Sequence, residues 1–380
     1  MRFLIFFIVI TVILSLASFY VGTRLMQSEW LFAHRRIVWL FFGLFIVIQI
    51  LGPLLYRLYP DRFSEAFALH WVTYTTLGLF ASLFFYTVFA DTILLALSWL
   101  GRGDDAVNLE RRNLFLVGSL TLGTTLVGMA QASSGPRVEE VEVPLKNLPD
   151  AFHGFRIAQI SDLHVGPTIR KSYVENVVKL TSDAKPDLIA LTGDFSDGTV
   201  EHLRDDIWPL AKLQAPFGKF FVTGNHDYYW DPEAWLKLHA EMGAKLLINE
   251  HVVIEKAGAK LVLAGVTDIS AGEGYLDHAS SPQAAAKDAP AGVPKILLAH
   301  QPASYKEAHA AGFDLQLSGH THAGQFFPWS MVVKIAQKYY KGLNRHENMW
   351  VYVNRGTGYW GPPIRFAVPS EITIIKLVQA

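Results

Sequence analysis

The residues of this chain that could do chemistry share one kind of position: each follows the end of a short apolar run. FRIAQI runs into SDLH and delivers Asp162 and His164, and LIALT runs into GDFSDG and delivers Asp194. KFFVT leads to Asn225, His226 and Asp227, KILLA to His300, and LQLS to His320 and His322. Five of the 14 histidines stand at these ends. Burying so many carboxylate, amide and imidazole groups without partners would be costly, and divalent cations are suitable partners. The chain has no cysteine, so any metal must take nitrogen and oxygen ligands. On an extended segment an i, i+2 pair, such as Asp162/His164 or His320/His322, points both side chains to one side. Gly193, Gly224 and Gly319 stand just before ligand candidates, where backbone must approach closely.

The elements that would hold these residues alternate short strands with helical stretches such as Lys171 to Ala184, which predicts an α/β (α+β) domain. In such sheets ligands bind at the carboxyl ends of strands. The domain follows a polar stretch, 133–154, in which Val138 to Val143 reads as a first strand. Ser280 to Pro294 reads as a surface loop, and no internal repeat is present.

Residues 1–132 have another character. Uncharged apolar runs predict about four transmembrane helices, at 3–21, 37–56, 71–100 and 114–130. Because further spans follow it, the first reads as an anchor rather than a cleaved signal. Arg24, Arg35 and Arg36 in the first loop and Arg102, Arg111 and Arg112 in the third outnumber Arg57 and Arg62 in the second, with Arg2 at the N-terminus. The positive-inside rule then puts both chain ends outside the cytoplasm. ERRNLFL followed by Ala130-Gln131-Ala132 is similar to a twin-arginine export signal with a cleavage site, which agrees. The expectation is a multi-pass protein of a bacterial inner membrane with its second domain outside the cytoplasm. Asp91, the one acid in the third span, is expected at the membrane interface. A net charge of -1 without a basic cluster argues against nucleic acid as a partner.

Taken in order, D-L-H, G-D-F-S-D-G, G-N-H-D, A-H-Q-P and G-H-T-H-A-G-Q resemble the calcineurin-like metallophosphoesterases. GHTHxGQ and the late YVNRGTG resemble the bacterial membrane-associated branch. The resemblance implies a four-layer αββα sandwich of two mixed sheets over residues 155–380. It implies two divalent metal ions, Mn, Fe or Zn, one held by Asp162, His164 and His322 and the other by Asn225, His300 and His320. Asp194 would bridge them, a hydroxide shared between the ions would attack phosphorus, and His226 would protonate the leaving group. Ala323 and Ser370 depart from the usual glycine and proline. Gly198 replaces the arginine that follows Asp197 in the protein-phosphatase branch, which counts against a phosphoprotein substrate. Asp227 has two readings, as orienter of His226 or as N-cap of the helix in DPEAWLKLHAEM. Arg355 and Arg365 are candidates for phosphate contact or for structural ion pairs.

Pro328 to Trp350 interleaves Trp329, Val332, Ile335, Tyr339 and Tyr340 with Lys334, Lys338, Lys341 and Arg345. That pattern suits a helix touching anionic lipid as well as an ordinary half-buried helix. The function expected is a membrane-anchored phosphohydrolase cleaving a phosphoester or pyrophosphate, with a phosphorylated lipid as a candidate substrate. The rival is a membrane receptor or transporter whose soluble domain senses metal or phosphate without turnover.

Overall fold

The structure, a computed structural model, describes residues 2–63, 66–100, 106–271 and 274–380, and excludes the side chains of 2–6, 106–114 and 276. Two compact units are present: residues up to Ala130 with Gly361–Phe366, and Gln131–Trp360 with Ala367–Ala380.

The first unit contains α1 (Arg2–Leu25), α2 (Glu29–Ala33), α3 (Arg35–Leu58), α4 (Pro60–Phe63), α5 (Phe67–Trp99) and α6, which starts at Ala106 and runs to Ser133. Among the described residues four helices are long and apolar enough to cross a membrane. They are apolar on all sides: Leu14, Val21, Phe42, Phe45 and Phe80 pack inside, while Leu16, Leu40 and Phe115 face outward. Such a surface suits lipid rather than water. Gln49 joins two helices, its Nε2 donating to Thr73 O at 3.0 Å and Thr76 Oγ1 at 2.9 Å.

Asp91, the one acid of the third span, is paired. It lies within α5, and its carboxylate accepts from Arg24 Nε at 2.6 Å and from the Tyr20 hydroxyl. Arg24 therefore belongs to the last turn of α1 and is neutralised there, so the first loop carries less positive charge than its composition suggested. Arg2, Arg102, Arg111 and Arg112, with the arginine pair of ERRNLFL, lie outside the described residues or side chains.

Gly361–Phe366 belongs to this unit although it lies late in the chain. Ile364 sits against Gly78 and Gly128, where a Cβ would overlap its side chain, and its neighbour Arg365 donates its backbone N–H to Gly128 O at 2.9 Å.

The second unit is built on two six-stranded sheets. The first has the order β1-β12-β2-β3-β4-β5, made of β1 (Arg137–Leu145), β12 (Glu371–Gln379), β2 (Arg156–Ile160), β3 (Leu188–Thr192), β4 (Lys219–Val222) and β5 (Lys245–Leu246). Only the β12–β2 pairing is antiparallel. The second has the order β10-β11-β9-β8-β7-β6, made of β10 (Gly342–His346), β11 (Met349–Val353), β9 (Leu315–Ser318), β8 (Lys295–Leu298), β7 (Ala259–Gly265) and β6 (Glu250–Lys256). It is parallel except at its two outermost pairings.

Strand alternation divides the apolar residues between faces. Ile157, Leu188, Leu263, Leu298, Leu317 and Ile375 fill the space between the sheets. Ile160, Ile189 and Leu191 pack instead against α7 (Lys171–Asp183), α8 (Val200–Ile207) and α9 (Pro232–Glu241). Ala264, Leu297 and Val351 pack against the side of α10 (Pro282–Ala286) and α11 (Tyr305–Ala310). The result is the expected four-layer αββα sandwich. A short helix, α10, capped by the Ser281 hydroxyl, replaces part of the loop expected from Ser280 to Pro294. The segment after Pro328 divides into α12 (Trp329–Ala336) and β10, and Tyr339 between them is buried.

Candidate metal centre

The parallel strands of both sheets bring their carboxyl ends to one place. Asp162 and His164 follow β2, Asp194 follows β3, Asn225 and His226 follow β4, His300 follows β8, and His320 and His322 follow β9. Backbone bonds join the loops: Asp162 N–H donates to Gly193 O at 3.0 Å and His164 N–H to Asp194 O at 3.1 Å. The ligand candidates are not in extended backbone as the i, i+2 spacing suggested. Asp162 (φ 53°), His164 (φ 52°), Asp194 (φ 57°), His320 (φ 70°) and His322 (φ 48°) are all left-handed. Each such residue costs about 1–3 kcal/mol, and strain of this kind collects at functional sites.

Two groups result without His226, and a third includes it. Ligating atoms of Asp162, His164 and His322 lie within 4.8 Å of one another, as do those of Asp194, His300 and His320, and those of His164, Asp194 and His226 form a group that overlaps both. His322 Nε2 is 3.4 Å from Asp162 Oδ1 and 3.1 Å from His164 Nε2. His320 Nδ1 is 2.9 Å from Asn225 Oδ1. Asp194 Oδ2 stands 3.1 Å from His300 Nε2 and 3.9 Å from His164 Nε2, so one carboxylate faces both groups. His320 and His322 thus go to different groups, whereas Asp162 and His164 stay together. Glycine makes this crowding possible: a Cβ on Gly224 would overlap Asp194 Oδ1, and one on Gly319 would overlap Asp162 Oδ2.

The donor set fits divalent cations. His300 Nδ1 bonds to Thr192 O at 2.8 Å, while its buried Nε2 has no hydrogen-bond partner. His164 Nδ1 bonds to Asp197 Oδ2 at 3.0 Å, leaving Nε2 turned toward His322. In both rings Nδ1 faces an oxygen acceptor and Nε2 faces the centre, the orientation a metal ligand needs. Asn225 Nδ2 donates to the Tyr229 hydroxyl at 3.0 Å, which turns Oδ1 toward His320.

His226 lies beside the groups, its N–H donating to Asp194 Oδ1 at 2.8 Å. The carboxylate on its ring is Asp197, whose Oδ1 is 2.5 Å from His226 Nδ1. Asp227 therefore fills neither expected role. Its Oδ2 accepts from Gly224 N–H at 2.7 Å, and the N-cap of α9 is Asp231, which accepts from Ala234 N–H. Asp197 was legible only as the second acid of GDFSDG. Asp268 was also missed, although it follows the apolar strand KLVLAG as the other acids follow theirs. It is buried and accepts from Gln301 Nε2 at 2.9 Å, which ties it to the AHQP segment.

Burial alone would lower the His226 pKa, but Asp197 and Asp194 outweigh it and push it up to about 9. Burial opposes ionisation of Asp197 as well, yet His164 and His226 hold it well below the usual carboxylate range. Asp227, buried beside the Asp194 charge, is raised to about 7. Arg355 is committed to Glu371 and Glu139 as a structural pair, and Arg365 is fully buried in the first unit.

Acid and imidazole groups gathered at the joined ends of two mixed sheets form a candidate metal centre. The family model for calcineurin-like phosphoesterases matches residues 155–324. A transmembrane protein with metallophosphoesterase domain from Danio rerio is 35% identical over 326 residues, covering 82% of this chain and 75% of the relative. An uncharacterized metallophosphoesterase from Campylobacter jejuni is 30% identical over 99% of both chains. Among solved structures, the calcineurin-like phosphoesterase YfkN from Bacillus subtilis aligns with a TM-score of 0.34 at 15% identity, covering 52% of this chain and 87% of that one. The chain belongs to the calcineurin-like phosphoesterases. With its four apolar helices it is a membrane-associated member of them.

Proposed function

We propose that this chain is a binuclear-metal phosphohydrolase of the bacterial membrane-associated branch, anchored in the inner membrane with its catalytic domain outside the cytoplasm. Residues 1–132 would anchor it, 133–154 would link, and 155–380 would catalyse. The observation that carries the reading is the Asp194 carboxylate facing both ligand groups. Asp162, His164 and His322 would hold one ion, Asn225, His300 and His320 the other, and Asp194 would bridge. Imidazole and oxygen ligands suit Mn, Fe or Zn. When bound, two such ions supply Lewis-acid charge and activate a water for in-line attack on phosphorus. Asp197 fixes the proton of His226 at Nδ1 and stabilises the charged imidazolium, so Nε2 is the nitrogen that gives a proton to the leaving oxygen.

The substrate proposed is a lipid-linked or membrane-proximal phosphate. Tyr229 and Trp360 flank the His226 ring at 4.7 and 5.4 Å between centroids, and both are 51% exposed. That apolar rim on the proton donor favours a leaving group with an apolar or flat portion. α12, which packs against Gly324 close to His322, has no buried residue, and its Ile335 is 88% exposed. With Lys334, Lys338 and Lys341 it supports contact with an anionic bilayer.

The test uses full-length protein in detergent with p-nitrophenyl phosphate and its bis-ester, with Mn²⁺, with chelator, and with Asn225→Ala. Turnover that chelator and the substitution both remove supports the hydrolase. Bound metal without turnover on these or on lipid phosphates would favour the receptor reading. In anionic vesicles, reversing Lys334, Lys338 and Lys341 should slow turnover of a lipid phosphate while sparing the soluble ester. Equal rates on both would make α12 merely structural.

A further inference from the structure

A second group of metal-binding side chains stands well away from this centre. His309 occupies the last turn of α11, His346 ends β10, and Glu347 follows it in the turn to β11. Ligating atoms of the three lie within 4.8 Å of one another. β11 begins at Met349 and reaches the region of the Asp194 centre only past Val353, so the two clusters lie at opposite ends of one strand.

The local geometry resembles a ligand set more than a solvated ion pair. His309 Nε2 is 3.3 Å from Glu347 Oε2, longer than a good charged hydrogen bond. Tetrahedral zinc, with bonds of about 2.0–2.1 Å, sets its ligand atoms about 3.3–3.5 Å apart. The two imidazole rings meet edge to face, at 80° with centroids 5.3 Å apart. His346 Nδ1 is held at 3.1 Å by the hydroxyl of buried Tyr339, an outer partner that fixes the ring and leaves Nε2 unengaged among the described residues. His309 Nε2 also donates to Asn348 Oδ1 at 2.7 Å, a hydrogen bond that a metal at this nitrogen would replace. Glu347 has a φ of 52°, a conformation hairpin turns normally reserve for glycine, asparagine or aspartate.

We infer that His309, His346 and Glu347 form a second, distal metal site for a borderline divalent cation of the zinc type. A metal there joins α11 to the β10–β11 turn and braces β10, the edge strand of its sheet. Through Tyr339 it also steadies the segment that returns from α12.

The test is metal stoichiometry on full-length protein in detergent, stripped with chelator and dialysed against low-micromolar free zinc. Wild type is compared with the His309→Ala/His346→Ala double variant and with Glu347→Gln. The double variant should bind one zinc fewer per chain, lose the matching part of the zinc-induced rise in melting temperature, and keep its Mn²⁺-dependent phosphatase rate. Equal stoichiometry in all three proteins, or a difference seen only at millimolar zinc, overturns the site. If the double variant fails to fold, the Glu347→Gln comparison decides, because that exposed side chain supports no core. The readout is a difference between proteins, so it stands whatever number of ions the Asp194 centre takes.

Discussion

Asp197 Oδ1 lies 2.5 Å from Nδ1 of His226, while its other oxygen holds His164, a ligand candidate, at 3.0 Å. One carboxylate therefore orients both the proposed proton donor and a proposed metal ligand. Asp197→Asn should lower kcat by about 100-fold, the scale of general acid catalysis. Metal affinity should fall by about 10-fold, as for loss of a partner behind a metal-bound histidine. Steady-state kinetics with metal analysis would check this, and a loss confined to metal content would detach Asp197 from proton transfer.

The Tyr229 hydroxyl acts on the amide of Asn225. Tyr229→Phe keeps the ring beside His226 but frees the amide to turn. About a 10-fold loss of affinity for one ion is expected, with little change in KM for p-nitrophenyl phosphate. Calorimetric metal titration of both proteins would show it. Tyr229→Ala should in addition raise KM for apolar esters, because the rim is lost.

Ile364 occupies the spaces left by Gly78 and Gly128. Gly128→Ala must displace Ile364 or part the helices, at a cost of about 1–3 kcal/mol. Thermal unfolding in detergent should show the loss, and the Ile364→Ala second change should recover part of it. No recovery would mean that Ile364 is not the residue displaced.

His239 is buried against Phe221, with ring centroids 3.9 Å apart and neither nitrogen bonded. Burial holds its pKa down to about 3. The unfolded value is about 6.5, so between these limits the unfolded chain binds more protons. Its contribution is thus fully present above pH 6.5 and is lost as pH falls, by about 2 kcal/mol at pH 5. His239→Phe should flatten the fall of melting temperature between pH 7 and pH 5. An unchanged slope would assign the acid sensitivity to other groups.

Much of the centre was legible because its residues obey one local rule: an apolar run ends and a ligand type follows. That rule found the ligand candidates and His226, and spacing along the chain needs no knowledge of the fold. It missed Asp268 only because a single acid after KLVLAG lacked the neighbours that marked the others. Asp197 could not be assigned in the same way. Its partners, His164 and His226, lie 33 and 29 residues away, and adjacency in sequence pointed to Asp227 instead. Left-handed backbone at Asp162, His164 and Asp194 turns each side chain in a direction that strand periodicity does not give.

The sequence by itself determined four apolar spans, an α/β domain and a set of nitrogen and oxygen ligand candidates, since hydrophobic period and residue type are local properties. Tertiary structure decided how those pieces were shared out. It sent His320 and His322 to different ligand groups, paired Arg24 with Asp91 across 67 residues, and gave Gly361–Phe366 to the unit formed by the first 130 residues. Each of these depends on the meeting of distant segments, and the free energy of such a meeting is written in no single segment.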